Sequence, residues 1–398
     1  MTTLFVVLGV LLVLERLWKH VLVVRFFRRP RPAPTPPTRI SILQPVVSGD
    51  PHLESVLERT LTARSRHARQ VLWLADEDDT IARELCARVA ARHPEVETRI
   101  VVLGPPPERA SPKMFKLISA APLADGDVLC VLDDDTALGD DAFDEVLPRL
   151  EEPGVGLVFG LPYYTSFENA WSSLVACFVN RNALPTYVPY TFLIEPFTIN
   201  GMFYVLKRAT YERMGGFHGL EAFATDDFAV ARHVREHGFR LAQSALRHPI
   251  RTHVTDWRQY ARLLQRWFVF PRETLYRGLR WRELAVVYLL AFAPAIGPLV
   301  FLAGFLAAPS AALAVVCALY VLQDVTLFAH QDRAYLGGPT PLSAYPLVVL
   351  GGLLLPFQVL FALVAPQRVN WRGNVMQIHK GGTFDYVRRR GAAREAAR

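Results

Sequence analysis

Cysteine is scarce in this chain. Four are scattered across 398 residues, at Cys86, Cys130, Cys177 and Cys317, with no C-x-x-C spacing. That argues against a zinc ribbon and against a scaffold stapled by disulfides. Cys130 and Cys317 sit inside apolar runs and read as small packing residues. Positive charge is missing ahead of the first apolar run, Leu4 to Leu14, and comes after it instead, at Arg25, Arg28, Arg29 and Arg31. A secretory signal has the opposite order, so the segment reads as a retained anchor whose basic end faces the cytoplasm. The globular stretch also lacks basic residues interleaved with stacking aromatics. The net charge of +7 is therefore assigned to contact with anionic lipid headgroups, with no nucleic-acid partner.

Apolar residues are plentiful: 51% of the chain, with a mean hydropathy of +0.19. They concentrate in 4–24 and 284–365, while 38–283 has the composition of a globular domain. The expected organisation is an N-terminal transmembrane anchor (1–25), a proline-rich linker (26–38), an α/β domain (39–254), an amphipathic interfacial region (255–283), transmembrane helices (284–366) and a basic cytoplasmic tail (367–398). Glu15, Arg16, Lys19 and His20 are awkward inside the first span. Three spans, about 284–306, 311–328 and 345–365, would leave the tail on the side opposite the domain, whereas its arginines favour the same side. One segment is then re-entrant or part of a hairpin. Within the domain, strands are expected at Ile40–Leu43, Gln70–Leu74, Arg99–Leu103 and Asp127–Leu132, alternating with helices at Leu53–Ala63 and Thr80–Arg92.

Two acidic clusters fall where such a sheet places ligands, beyond the carboxyl ends of strands. Asp76-Glu77-Asp78-Asp79 follows the second strand and Asp133-Asp134-Asp135 the fourth. Carboxylates crowded at a strand end repel one another unless a cation joins them, and a D-x-D pair suits Mg2+ or Mn2+ carrying a diphosphate. An acidic turn is the bland alternative. Thr225-Asp226-Asp227 opens a helix with Thr225 as N-cap. A carboxylate there is either a favourable first-turn charge or a base for an attacking hydroxyl. Thr255 to Phe270 reads as an amphipathic helix bearing Gln265-Arg266-Trp267, and an arginine on it would offset charge on a departing diphosphate. His233-Val234-Arg235-Glu236-His237 matches an inverted zinc-protease pattern, but its position on a charged helix end favours a solvated face.

With these residues in view, the chain resembles the inverting family 2/21-type glycosyltransferases, in particular the ceramide glucosyltransferase branch. The likeness rests on Gln44-Pro45, the acids from Asp76 to Asp79, Ser111-Pro112-Lys113, Asp133 to Asp135, and the string from Gly156 to Tyr163. It continues through Asn200-Gly201-Met202, Thr225-Asp226-Asp227, Gln265-Arg266-Trp267, Trp371-Arg372-Gly373 and Lys380 to Thr383. The resemblance implies a Rossmann-like GT-A fold, a UDP-sugar donor, Mg2+ or Mn2+, and transfer of a sugar, glucose by this likeness, to a lipid hydroxyl such as that of ceramide. It implies that Asp76 and Asp79 face the uridine, Asp133 lies near the nucleotide, Asp135 binds the metal, and Lys113 approaches the nucleotide or its phosphates. Asp227 takes the base role supported by Asp226, with Arg266 and Trp267 near the leaving UDP. Two departures stand out. Leu263 occupies the family's Gln or Arg position before the Arg-Trp pair, which Arg262 would have to replace, and no histidine matches near Ala183-Leu184-Pro185. The rival readings are a hopanoid, polyisoprenoid or polysaccharide acceptor, a non-catalytic membrane scaffold, and a metalloprotease.

Overall fold

The computed structural model describes residues 1–273 and 278–390. The end of the expected tail, 391–398, and residues 274–277 of the amphipathic stretch lie outside the described residues. The domain is built on seven strands: β1 (Arg39–Val46), β2 (Ala68–Asp76), β3 (Glu97–Leu103), β4 (Val128–Leu132), β5 (Val155–Tyr164), β6 (Phe203–Lys207) and β7 (Arg240–Ile250). Their order in the sheet is β3-β2-β1-β4-β6-β5-β7. β6 runs antiparallel to both β4 and β5, while the other pairings are parallel.

Strands buried on both faces read as continuous apolar runs, and β4 (Val-Leu-Cys-Val-Leu) is buried throughout. Alternate residues serve opposite layers. Ile40, Ile42 and Trp73 pack with Leu57, Cys86 and Phe143, contributed by α2 (Leu53–Thr62), α3 (Thr80–Arg92) and α5 (Ala142–Leu150). Leu43, Leu72 and Leu74 pack with Met114, Leu117 and Val230 from α4 (Pro112–Ala120) and α8 (Asp226–Glu236). Each such side chain contributes roughly 1.5–3 kcal/mol of burial, so the strand ends are held by a rigid base. The remaining helices of the domain are α6 (Ala170–Leu193), α7 (Arg208–Arg213) and α9 (Trp257–Glu273).

The stretch expected as a basic tail contains regular structure. Residues 368–388 form a three-stranded antiparallel sheet, β8 (Arg368–Trp371), β9 (Asn374–Ile378) and β10 (Phe384–Arg388). Val369, Met376, Ile378 and Phe384 bury themselves against Ala224 and against Val269 of α9. Apolar alternation on short strands is satisfied by a surface the domain supplies.

The apolar ends meet in a helical bundle. Helix α1 (Thr2–Phe27) packs beside α10 (Trp281–Ala307) and α11 (Ala311–Tyr335), followed by α12 (Tyr345–Val364). Three C-terminal helices are long and apolar enough to cross a membrane. The charges of α1 point into the bundle: Arg16 pairs with Asp324 at 3.2 Å, and Lys19 pairs with Glu15 and donates to the Leu290 carbonyl at 2.9 Å. Arg181 of α6 takes the other Asp324 oxygen at 2.8 Å. Ionisable groups at such depth persist when they face protein and are paired.

Side-chain neighbours give the directions. Near the start of α1, Phe5 meets Gly304, and near its end Lys19 meets Leu290, so α10 runs opposite to α1. Val316 meets Gly9, and Tyr335 stacks on Phe27, so α11 runs alongside it. Helix α12 begins against α6, where Cys177 reaches the Ala344 carbonyl, and ends against α9, where Arg272 donates to the carbonyls of Leu363 and Ala365 at 3.0 Å. Both ends of α12 therefore rest on the domain. This geometry returns the last sheet to the domain's side, which the count of apolar segments left open.

Candidate active site

The strand ends, α6, α9 and the C-terminal sheet enclose a cavity of about 1210 Å³. Asp76, Lys113, Asp133, Asp134, Asp135, Asp226, Asp227, Arg266 and Trp267 all line it. The acids from β4 and from α8, more than 90 residues apart in sequence, are joined by one side chain. Lys113 Nζ lies 2.7 Å from Asp133 Oδ1, 2.7 Å from Asp226 Oδ2 and 2.8 Å from the Gly201 carbonyl. An ammonium has three N–H groups, and here the protein accepts all of them. Lys113 thus holds the two acidic motifs together, and it lines the cavity where the resemblance implied an approach to the nucleotide or its phosphates. Gly201 is required by close approach: a Cβ on it would sit 3.2 Å from the Asp227 Cβ and 3.3 Å from Asp226 Oδ2.

The middle acid of the β4 cluster is structural. Asp134 is buried, accepts from the Val47 amide at 2.9 Å, and is gripped by both arms of Arg372 at 2.9 and 2.6 Å. Arg372 arrives on the turn between β8 and β9, where it and Gly373 have φ of 49° and 88°. Two successive positive φ values mark the tight hairpin turn whose twist matches the strands. Asp79 also has a structural task. It caps α3 through the Ala82 amide at 3.1 Å, accepts from the Ser48 amide at 2.9 Å, and lies 3.4 Å from Arg390. These bonds hold its carboxyl below the usual range, against the opposing effect of burial. Asp79 is not among the residues lining the cavity, so of the pair expected to face the uridine only Asp76 lines it, paired with Lys116 at 2.9 Å.

Asp135 and Asp227 differ from these. Among the described residues neither has a cation within ion-pair distance. Asp135 accepts from Thr252 Oγ1 at 3.3 Å, and Asp227 Oδ1 accepts from the Phe228 amide at 2.7 Å. Burial raises both carboxyls to about 7, reinforced at Asp135 by Asp133 and Asp134 and at Asp227 by Asp226. The donor set at Asp135 is a single carboxylate facing open cavity. That fits a hard divalent cation that keeps most of its positions for water and phosphate oxygens.

Cations ring the other side. Arg266 lies 5.7 Å over the Trp371 ring, while Trp267 stacks on Phe178 of α6 at 6.2 Å. Arg262 is exposed and lies outside the cavity, and Leu263 packs into the aromatic cluster around Tyr164, so Arg262 does not replace the missing family residue. Arg372, Arg389 and Arg390 enter from the C-terminal sheet instead. Thr225 occupies the N-cap position of α8, though its side chain makes no capping bond. In the H-x-x-E-H stretch, His233 Nε2 is held by the Met214 and Gly216 carbonyls at 3.1 and 3.0 Å, and His237 Nδ1 by the His233 carbonyl. Neither histidine is presented as a ligand.

The residues missed in the sequence are Lys116, Arg389 and Arg390, together with the role of Arg372. Only the Trp371-Arg372-Gly373 string signalled any of them, and it carried no role.

A sheet of this order, with acids at its carboxyl edge and arginines opposite, is that of a GT-A glycosyltransferase. The family model "Glycosyl transferase family 21" matches residues 1–384, and the chain belongs to that family. It is similar to "Ceramide glucosyltransferase 1" of Caenorhabditis elegans, with 22% identity over 226 residues, 56% of this chain and 47% of that protein. The chain thus spans about half the length of this relative. Among solved structures it is similar to a mannosyltransferase from Pyrobaculum calidifontis in complex with GDP-Man and Mn2+. The TM-score is 0.51 at 18% identity, covering 88% of this chain and 99% of that one. That likeness concerns the fold.

Proposed function

We propose that the chain transfers a sugar, glucose from UDP-glucose, with inversion to the primary hydroxyl of a membrane lipid of the ceramide type. The observation that carries this is the pair of acids without cation partners, Asp135 and Asp227, on one cavity that reaches from polar strand ends to apolar helices. Asp135 would hold Mg2+ or Mn2+, which when bound neutralises charge on the diphosphate. Asp76 faces the nucleoside, and Lys113 keeps Asp133 and Asp226 in place beside it. Asp227 takes the proton from the lipid hydroxyl as that oxygen attacks the anomeric carbon. Arg266 and Arg372, beside Trp267 and Trp371 on the cavity wall, offset charge on the departing diphosphate. Phe178, Val179 and Phe268 form an apolar wall on the side of α6 and α9, from which the acceptor enters out of the bilayer.

The nematode relative's name supports the acceptor, and the solved relative's contents support a metal-bound nucleotide sugar. The arginines at and beyond the end of α1 and the return of α12 to the domain suit a catalytic domain on the cytoplasmic face. The test is the Asp227→Asn protein in detergent with UDP-glucose, ceramide and Mn2+. Glycolipid formation followed by mass spectrometry should fall by about 10²–10⁴-fold, with UDP affinity unchanged. Full turnover in that variant overturns the assignment of the base. Product on a polyisoprenoid lipid with none on ceramide overturns the acceptor.

A further inference from the structure

Away from the catalytic acids, three loops bring His52, Glu168 and His253 together. His52 precedes α2, Glu168 lies between β5 and α6, and His253 follows β7. One ligand atom from each lies within 4.8 Å of the other two. His52 Nε2 is 3.0 Å from Glu168 Oε1, yet it is enclosed and has no aligned hydrogen-bond partner. A separation near 3 Å without hydrogen-bond alignment is also what two atoms bonded to one ion at about 2 Å each would have. The backbone on both sides is tied beforehand: the Asp50 carboxylate accepts from the His52 amide at 2.8 Å and from the His253 amide at 3.2 Å. The imidazole rings meet edge to face with centroids 6.4 Å apart.

We propose that His52, Glu168 and His253 bind Zn2+, with water in the fourth position. Two imidazole nitrogens and a carboxylate oxygen form a donor set that zinc accepts, and tetrahedral zinc places its ligand atoms roughly 3.3 Å apart. The all-oxygen site at Asp135 favours magnesium or manganese, so the two sites select different metals. The zinc pins three loops to one another. One of them carries Arg251 and Thr252, whose amide and hydroxyl bond the Asp135 carbonyl and carboxylate at 2.8 and 3.3 Å. The cluster is thereby a positioning site for Asp135 and touches no substrate. It stands independently of the donor and acceptor proposed above.

The test is metal analysis of the purified full-length protein in detergent, dialysed against Mg2+ without chelator, together with thermal unfolding with and without added Zn2+. Wild type should retain close to one zinc per chain, and Asp135→Asn should retain the same amount. His52→Ala combined with His253→Ala should retain none. Glu168→Gln, at an exposed position, should keep the fold and bind zinc about 10-fold or more weakly. Absence of zinc from wild type, equal zinc affinity of wild type and Glu168→Gln, or loss of zinc in Asp135→Asn overturns the proposal.

Discussion

Lys113 gives its N–H groups to Asp133, Asp226 and the Gly201 carbonyl, and Arg372 grips Asp134 with both arms of its fork. The acids left facing the cavity owe their raised proton affinity first to burial and then to the acids beside them. A base must be deprotonated before it accepts, so kcat/KM, which reports the free enzyme, should rise with pH through about 7 and level off above it. A profile that is flat or falling between pH 5 and 8 would remove Asp227 from the role. Replacing Lys113 with Met leaves two enclosed carboxylates without their shared cation. Breaking a buried pair in this way costs about 3–5 kcal/mol, to be read as a lower denaturation midpoint. An unchanged midpoint would mean that Lys113 does not hold the two motifs together.

At the level of elements, the C-terminal hairpin supplies cations to the site. The φ of 88° at Gly373 makes the turn possible, and a Cβ there meets the Arg390 side chain only at ordinary contact, 3.4 Å. Gly373→Ala should therefore cost about 1–3 kcal/mol through backbone strain alone. It should also weaken UDP binding as Arg372 shifts, measured by titration with UDP and Mn2+. Undisturbed UDP affinity would show that the hairpin is only a brace. The contrast between legible and hidden elements is physical. Strands β1, β2 and β4 were readable because buried parallel strands announce themselves as apolar runs, and the Asp133–Asp135 cluster was readable because it closes one of them. Helix α9 was readable from its aromatic spacing, although it begins at Trp257 and extends to Glu273. Strands β8 to β10 are only four or five residues long and owe their burial to Ala224 and Val269, distant in sequence. Alternation over so few residues is a weak local mark, and the roles of Arg372, Arg389 and Arg390 were hidden with it. Asp79 was grouped with its acidic neighbours although the helix expected from Thr80 already put it at the N-cap position, where the structure places it.

Across the whole molecule, α1, α10 and α11 lie side by side in alternating directions, while α12 starts and ends on the domain. Apolar composition is the same for a helix that crosses and one that lies along a surface, which is why sequence left the choice open. In membranes, a cysteine at Ser310, between α10 and α11, should react with an impermeant maleimide from one side. A cysteine at Gly338, between α11 and α12, should react from the other. Reaction of both from the same side would contradict this path. The convergence of strand-end acids, base and C-terminal arginines into one donor site is open to a single observation, the anomalous signal of Mn2+ in a complex with UDP. The peak should lie against Asp135, with the diphosphate between it and Arg266 and Arg372, and Asp227 free of the ion. A manganese peak away from Asp135, or a nucleotide bound outside the cavity that Asp227 lines, would contradict it.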